Sequence, residues 1–229
     1  MSSALNYTPC LTLGQIMVNR KFKFSFLIFF CVCCTLPSLL RAETTILMLG
    51  DSLTEGTGVK KNQAYPYLVE QKLKAKGFSL IKVINAGVSG STSASALSRL
   101  KWHLRSTPDI LLLALGANDG LRGLSTVQMK RNLAKTIELA LSKGVRIVLA
   151  GMKMPPNYGA EYTREFEKVF YQLAKEYDVV FIPFLLEGVA GDPKLNFPDG
   201  LHPNEQGHKI IAELVYKTLL TLDNFSKKH

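Results

Sequence analysis

Cysteine is scarce in this sequence, and all of it lies in one region. The four cysteines of the 229 residues precede residue 43. The chain from residue 43 onward therefore has no disulfide bond and no thiolate nucleophile of its own. With 47% hydrophobic residues it can still bury a full core, so we expect one globular domain over residues 43–229.

Acidic residues are absent from residues 1–42, where a basic cluster at 20–23 runs into an apolar stretch over 24–40. This order is typical of a secretory signal peptide, and we expect cleavage after Ala42. An uncleaved membrane anchor is the alternative, although the apolar stretch barely spans a bilayer and Pro37 interrupts it. We therefore predict a periplasmic or secreted protein, which would be membrane-anchored if the leader is retained.

A nucleic-acid partner is not indicated by the charge pattern. The net charge is +10, and four of the cations lie in residues 1–42, which leaves +6 for the rest. These cations are scattered along the chain rather than clustered with aromatic residues. The excess is compatible with transient contact with a lipid or membrane surface, and the oligomeric state stays open.

Short apolar runs alternate with longer amphipathic stretches, which is the pattern of a parallel α/β fold. Five runs rich in Val, Ile and Leu predict strands over 45–49, 80–85, 110–115, 146–150 and 179–184. Residues 162–177 and 204–222 show helical stripes, the second one including Ile210. We predict a three-layer α/β/α sandwich whose ligands bind at the carboxyl ends of the strands.

Ser52 follows the first predicted strand in a glycine-flanked turn over residues 50–56. Such a turn can present the hydroxyl group outward as a nucleophile, but serine is also common in ordinary turns. A glycine-rich turn that opens a helix is equally suited to binding a phosphate or a flavin. A catalytic interpretation therefore requires a histidine to activate the serine.

His202 is the histidine best placed for that role, because it lies between the last predicted strand and the last predicted helix. Asp199 precedes it by three residues across a glycine, so its carboxylate can fold onto the imidazole. His103, His208 and His229 lie in a helix, on the final helix and at the chain terminus, and we interpret them as surface or packing residues. We predict Ser52, Asp199 and His202 as the catalytic residues.

Two further turns supply hydrogen-bond donors for an oxyanion. Gly90 follows the second predicted strand and can bring its backbone N–H close to a ligand, and Asn118 follows the third and offers a side-chain amide. Each alone is an ordinary turn residue. Because only a folded parallel sheet brings these strand ends together with Ser52 and His202, their joint occurrence favours a hydrolase site.

The turns resemble the four sequence blocks of the SGNH (GDSL) hydrolases. The matching segments are Gly-Asp-Ser-Leu at 50–53, Gly90, Gly-Ala-Asn-Asp at 116–119 and Asp-Gly-Leu-His-Pro at 199–203. The resemblance implies a flavodoxin-like SGNH hydrolase fold and catalysis without a metal or organic cofactor. It implies Ser52 as nucleophile, His202 as base assisted by Asp199, and an oxyanion hole formed by Ser52, Gly90 and Asn118.

Within that family, segments 118–123 and 156–159 look most like the periplasmic acyl thioesterase and lysophospholipase branch, also called arylesterases. This closeness implies a small acyl ester or thioester as substrate. It also implies that segment 153–158 lies beside the acyl chain, with its apolar residues binding substrate. The residues expected in this role are Met154, Pro155, Pro156 and Tyr158.

Two other functions share parts of this pattern. A carbohydrate O-acetyl esterase would use the same catalytic residues with a different pocket, and a flavodoxin-like binding module would use the turn at 50–56 without catalysis. The absence of a Gly-x-Ser-x-Gly elbow argues against the other large esterase fold. Gly87 departs from the family pattern in the second block, where we expect it to add flexibility near Gly90.

Overall fold

A five-stranded parallel sheet forms the centre of the protein in a computed structural model that describes residues 43–222. The strands follow the predicted runs with small shifts at their ends. Their bounds are β1 Thr44–Gly50, β2 Ile81–Gly87, β3 Ile110–Ala114, β4 Arg146–Ala150 and β5 Val180–Ile182. The predicted fold class, an α/β sandwich around a parallel sheet, is confirmed.

The strand order is β2-β1-β3-β4-β5, with every neighbouring pair parallel. The chain leaves β1 toward one edge and then crosses to the other side to form β3. Strand order therefore reverses between β1 and β3, and in open α/β sheets ligands bind beyond the strand ends at such a point. The turns that carry Ser52 and Asn118 follow these two strands.

Seven α-helices cover the sheet in the described part of the chain. They are α1 Ser52–Glu55, α2 Tyr65–Ala75, α3 Ala96–His103, α4 Ala117–Leu121, α5 Thr126–Ser142, α6 Ala160–Tyr177 and α7 Glu205–Leu220. The long helices pack in two groups, α2 with α7 and α5 with both α3 and α6. These groups form the two outer layers of the sandwich.

The burial of the strands in the core explains why they are continuous apolar runs in the sequence. β1 and β3 are central, and residues 46–49 and 110–113 have no exposed surface, as expected for strands covered on both faces. The stripe predicted on α6 is buried through Phe166, Phe170 and Leu173. The stripe predicted on α7 is wrong at Ile210, which is 37% exposed because Ile211, Val215 and Leu219 occupy the buried face.

Some predictions lie outside the described residues. The leader over residues 1–42 and the terminal His229 belong to these segments, so the leader stays a prediction. Among residues 43–222, no helix combines the length and the apolar character that crossing a bilayer requires.

Candidate active site

Ser52 is the first residue of α1, directly beyond the carboxyl end of β1. The chain turns sharply there because Gly50 packs against Thr54, and a Cβ at residue 50 would overlap the Thr54 hydroxyl. Asp51 caps the short helix, its carboxylate accepting a hydrogen bond from the Leu53 N–H at 3.1 Å. The turn thus fixes the Ser52 side chain at the edge of the sheet formed by the carboxyl ends of the strands. Because Ser52 begins the helix, its N–H has no intrahelical acceptor.

Three predicted side chains meet at this edge. Ser52 Oγ lies 3.0 Å from His202 Nε2, and His202 Nδ1 lies 2.7 Å from Asp199 Oδ2. The contact between Ser52 and His202 joins residues that are 150 positions apart in the chain. The arrangement is that of a nucleophile, a base and a residue that orients the base.

Asp199 is held as an acceptor by several donors. Its Oδ1 accepts the backbone N–H groups of Leu201 at 2.8 Å and His202 at 3.0 Å. These bonds, first the backbone bond from His202 and then its side-chain bond, lower the pKa of Asp199 to about 2. An ionised carboxylate only accepts hydrogen bonds, so His202 Nδ1 carries a proton and Nε2 is free to accept the Ser52 hydroxyl.

The loop that carries His202 is fixed by its own backbone. Phe197 N–H donates to the His202 carbonyl at 2.8 Å, and a bridge joins Asn196 to Pro203. Gly200 has a φ of 69°, in the left-handed region that favours glycine. Asn204 then caps α7 by accepting two backbone N–H groups. The segment from Asp199 to His202 therefore forms a turn that is held by backbone hydrogen bonds and ends before α7 begins.

Asn118 lies in the first turn of α4, which begins beyond the end of β3 after Gly116. Gly116 has a φ of 125°, which only glycine adopts readily. Asn118 lines the same cavity as Ser52 and His202. Its side-chain amide donates to no other group within residues 43–222, so it remains available to a ligand.

Gly90 occupies the loop after β2 with a φ of 75°. It is not among the residues that line the cavity. Its N–H makes no hydrogen bond to any other group in the described chain, and the neighbouring loop residues bond to segments that carry Ser52 and Asn118. The loop of Gly90 is thus bonded to the segments that carry Ser52 and Asn118, while the Gly90 N–H itself stays free to donate.

Close packing explains why residue 87 is a glycine. It is the last residue of β2, and a Cβ there would overlap the backbone of Glu55 at the end of α1. Glycine at this position therefore allows the close approach of α1 to β2. Packing therefore explains the glycine at this position, and the added flexibility near Gly90 stays a prediction.

Two buried titratable groups lie near the site. Burial raises the pKa of Asp51 to about 6, and burial lowers the pKa of His208 to about 4. His208 Nδ1 accepts the backbone N–H of Tyr65 at 3.3 Å, and the two rings stack. His208 is therefore a packing residue with one satisfied acceptor.

A cavity of about 440 Å³ opens at Ser52, within the size range of small-molecule sites. Met154 and Pro155 line it, as predicted. Pro156 and Tyr158 are not among its lining residues, and their role beside the substrate stays a prediction. They form a 3₁₀ turn over Pro156–Tyr158, and the Tyr158 hydroxyl donates to the Leu121 carbonyl at 3.1 Å, so Tyr158 supports the wall from behind.

Much of the remaining lining was not predicted. Phe184 and Leu186 come from the loop after β5, and Leu121 follows Asn118 on α4. The rule that ligands lie beyond strand ends could have found Phe184 and Leu186, because the fifth predicted strand ends at residue 184. The lining is largely apolar, as a pocket for an acyl chain requires.

No group of three or more His, Cys, Asp or Glu side chains within residues 43–222 is arranged to hold a metal ion. The group that contacts the Ser52 hydroxyl is instead the imidazole of His202, whose Nε2 accepts from it at 3.0 Å.

Comparison with known proteins gives a consistent family. The model of the GDSL-like lipase/acylhydrolase family matches residues 48–210. An arylesterase from Vibrio mimicus is 37% identical over 86% of this chain and 96% of its own length. Thioesterase 1/protease 1/lysophospholipase L1 of Escherichia coli K12 is 36% identical over 80% of this chain and 86% of its own.

A solved structure agrees with these relatives. The crystal structure of the psychrotrophic esterase EstA from Pseudoalteromonas sp., inhibited by monoethylphosphonate, superposes with a TM-score of 0.74 at 34% identity. The match covers 78% of this chain and 97% of that one. Sequence and fold comparisons therefore lead to the same group of proteins.

Proposed function

The chain belongs to the GDSL-like lipase/acylhydrolase family, and on that premise we propose that it hydrolyses acyl esters or thioesters through an acyl-enzyme on Ser52. The observation that carries the proposal is the chain of contacts from Ser52 Oγ to His202 at 3.0 Å and from His202 to Asp199 at 2.7 Å. A serine hydroxyl becomes a useful nucleophile only when a base takes its proton.

The first half-reaction forms the acyl-enzyme. His202 Nε2 takes the proton of Ser52 as Oγ attacks the substrate carbonyl, and Asp199 stabilises the imidazolium. The negative charge on the carbonyl oxygen is met by the Ser52 and Gly90 N–H groups and the Asn118 amide. When the tetrahedral intermediate collapses, the bond to the leaving group breaks and His202 returns the proton to the leaving oxygen or sulfur.

The second half-reaction regenerates the enzyme. Water enters the position that the leaving group vacated, and His202 takes one of its protons as the oxygen attacks the acyl carbonyl. The bond to Ser52 Oγ then breaks, Oγ regains a proton from His202, and the carboxylic acid leaves. The same three donors hold the oxyanion in both half-reactions.

The cavity supports an acyl chain as the part of the substrate that is recognised. Met152, Met154 and Phe184 present apolar surface beside Ser52, whereas a sugar would need several polar partners. The names of the arylesterase and thioesterase relatives agree with an acyl substrate. We therefore favour acyl ester and thioester hydrolysis over carbohydrate deacetylation.

A chain-length profile tests this proposal. Residues 43–229 are assayed on p-nitrophenyl esters from acetyl to palmitoyl, on acyl-CoA thioesters and on acetylated xylan. We expect kcat/KM to rise from acetyl to a medium chain and to fall for chains that exceed the cavity. Turnover of acetylated xylan alone would overturn the acyl-chain proposal, and an inactive protein would overturn the esterase itself.

We also propose that residues 1–42 direct export and are removed after Ala42, because the leader has the order of charged and apolar segments that signal peptidases recognise. Expression of the full chain in a bacterial host, followed by fractionation and N-terminal sequencing, tests this. A periplasmic protein that begins at Glu43 is expected. A full-length chain in the membrane fraction would support the anchor instead.

A further inference from the structure

The loop after β2 presents one free donor between two tethered peptide groups. The Gly90 N–H belongs to the peptide group that joins Ser89 to Gly90. The preceding peptide group carries the Ser89 N–H, and the following one carries the Gly90 carbonyl. Both flanking groups bond to side chains from other segments, whereas the central N–H bonds to nothing else in the described chain.

The tether on the far side is Arg122, the residue after α4. Its Nη2 donates to the Gly90 carbonyl at 2.9 Å. The guanidinium is also in contact range of the space beside the Gly90 Cα, at 3.4 Å from where a Cβ would lie. Because Arg122 follows Asn118 by one helical turn, this bond joins the segments of two oxyanion donors.

The tether on the near side is Glu55, the last residue of α1. Its Oε2 accepts the Ser89 N–H at 2.8 Å and also the Ser89 hydroxyl. The Thr57 hydroxyl forms a further hydrogen bond with the Ser89 hydroxyl, at 2.6 Å. The segment that starts at Ser52 is thus bonded to the loop that carries Gly90.

The Ser91 N–H donates to the Val88 carbonyl at 3.1 Å and closes the loop as a turn, and the side-chain tethers add to this restraint. At Gly90 the backbone lacks the restriction that a Cβ imposes, so the peptide group can rotate at low cost. A donor contributes fully to oxyanion stabilisation only when it is already oriented before charge develops. Fixing both neighbouring peptide groups restricts the rotation of the one between them.

We propose that Arg122 and Glu55 are positioning residues that hold the Gly90 N–H toward the oxyanion, Arg122 by binding the Gly90 carbonyl and Glu55 by binding Ser89. The inference rests on the proposed esterase function and deepens it. Neither residue lines the cavity, so neither is assigned to acyl-chain binding. Both act on the rate of the chemical step through the backbone of residues 89–91.

The test compares Arg122→Ala and Arg122→Lys with wild type on one p-nitrophenyl ester. Arg122→Ala is expected to lower kcat roughly tenfold with KM nearly unchanged, less than the roughly hundredfold or greater loss that follows removal of a whole donor. Lysine can still donate to the Gly90 carbonyl, so Arg122→Lys should recover part of the loss. Glu55→Ala should behave like Arg122→Ala, and Glu55→Gln, which keeps one acceptor, should lose less.

A boronic acid inhibitor separates positioning from a general effect on stability. Boron adds to Ser52 Oγ and presents an oxygen where the oxyanion forms, so its affinity should fall by the same factor as kcat/KM. Affinity for a fatty-acid product, which lacks the tetrahedral centre, should stay unchanged. Arg131→Ala is the matched control, because it removes an equal charge from an exposed position on α5, and wild-type kinetics are expected.

The outcomes distinguish the two proposals. If wild type hydrolyses no ester, the proposed function fails and this inference fails with it. If wild type is active and Arg122→Ala keeps its kcat, or raises KM alone, the positioning role is wrong while the esterase stands. Equal losses in Arg122→Lys and Arg122→Ala, together with equal losses in Glu55→Gln and Glu55→Ala, would likewise contradict it.

Discussion

Replacing Asp199 by Asn changes the hydrogen-bond chemistry of the site while it preserves the shape of the loop. The carbonyl oxygen of Asn can still accept the N–H groups of Leu201 and His202, which Asp199 accepts at 2.8 and 3.0 Å. The new amide nitrogen then faces His202 Nδ1. Two donors cannot bond to each other, so Nδ1 must become the acceptor and the proton must move to Nε2.

The size of the effect follows from where that proton lies. His202 Nε2 is 3.0 Å from Ser52 Oγ, so a protonated Nε2 can no longer take the serine proton. In the serine protease template the same substitution lowers kcat by about 10⁴. The side chains of His202 and Asp199 are 26% and 46% exposed, and water can help the ring recover the correct tautomer. We therefore expect a loss of roughly 10³ to 10⁴, or about 4 to 5.5 kcal/mol of activation free energy.

Steady-state kinetics on a p-nitrophenyl ester measure this loss, with circular dichroism to check the fold. Asp192→Asn is a matched control, because the Asp192 carboxylate accepts the Lys194 N–H at 2.8 Å in a similar turn nearby. That variant should keep wild-type kcat. If Asp199→Asn keeps more than about a tenth of wild-type kcat, Asp199 does not orient the base and the proposed mechanism is wrong on this point.

Three further predictions follow from the site and its surroundings. Asn118→Ala should lower kcat by about 10² to 10³ by removing one oxyanion donor, and unchanged kcat would exclude Asn118 from the oxyanion hole. The raised pKa of Asp51, about 6 against 3.8, makes the fold less stable as pH rises through that interval, whereas the lowered pKa of His208, about 4 against 6.5, makes it more stable as pH rises. Each contribution is about 3 kcal/mol. In urea unfolding near pH 4 and pH 7, the change in stability with rising pH should be more positive than that of wild type in Asp51→Asn and more negative in His208→Asn, and a shift in the same direction in both variants would refute the assignment. In Gly120→Ala the new Cβ would overlap the Met154 sulfur and also approach the ring of Phe166, which is buried in the core. Met154 lines the cavity and should move into it, which lowers the ratio of kcat/KM on long against short acyl esters, with an unchanged ratio as the contrary result.

The main features of the fold could be predicted because the strands are simple in sequence. β1 and β3 are covered on both faces, so their residues are almost all apolar and no other element fits such short runs. β2 is an edge strand with exposed Lys82 and Asn85, and its end was placed less well. The face of α7 could not be fixed from pattern alone, since Ile210 and Ile211 are adjacent and only one can point inward.

The contact of Ser52 with His202 was predictable for a different reason. Parallel strands bring their carboxyl ends to one edge, so a residue after β1 and one before α7 can meet although they are far apart in sequence. Pro156 and Tyr158 lie in a 3₁₀ turn outside the cavity lining, and no period in the sequence indicates which side of such a short turn a side chain takes. The bond from Arg122 to Gly90 depends on side-chain orientation in two loops, and no sequence period encodes that.

Covalent labelling tests the central claim, that Ser52 is the nucleophile, most directly. Residues 43–229 are treated with a fluorophosphonate probe, and the adduct is located by mass spectrometry in wild type and in Ser52→Ala. We predict one adduct, on Ser52, that disappears in the variant together with ester hydrolysis. An adduct on another residue, or labelling and turnover that persist in Ser52→Ala, would contradict the account.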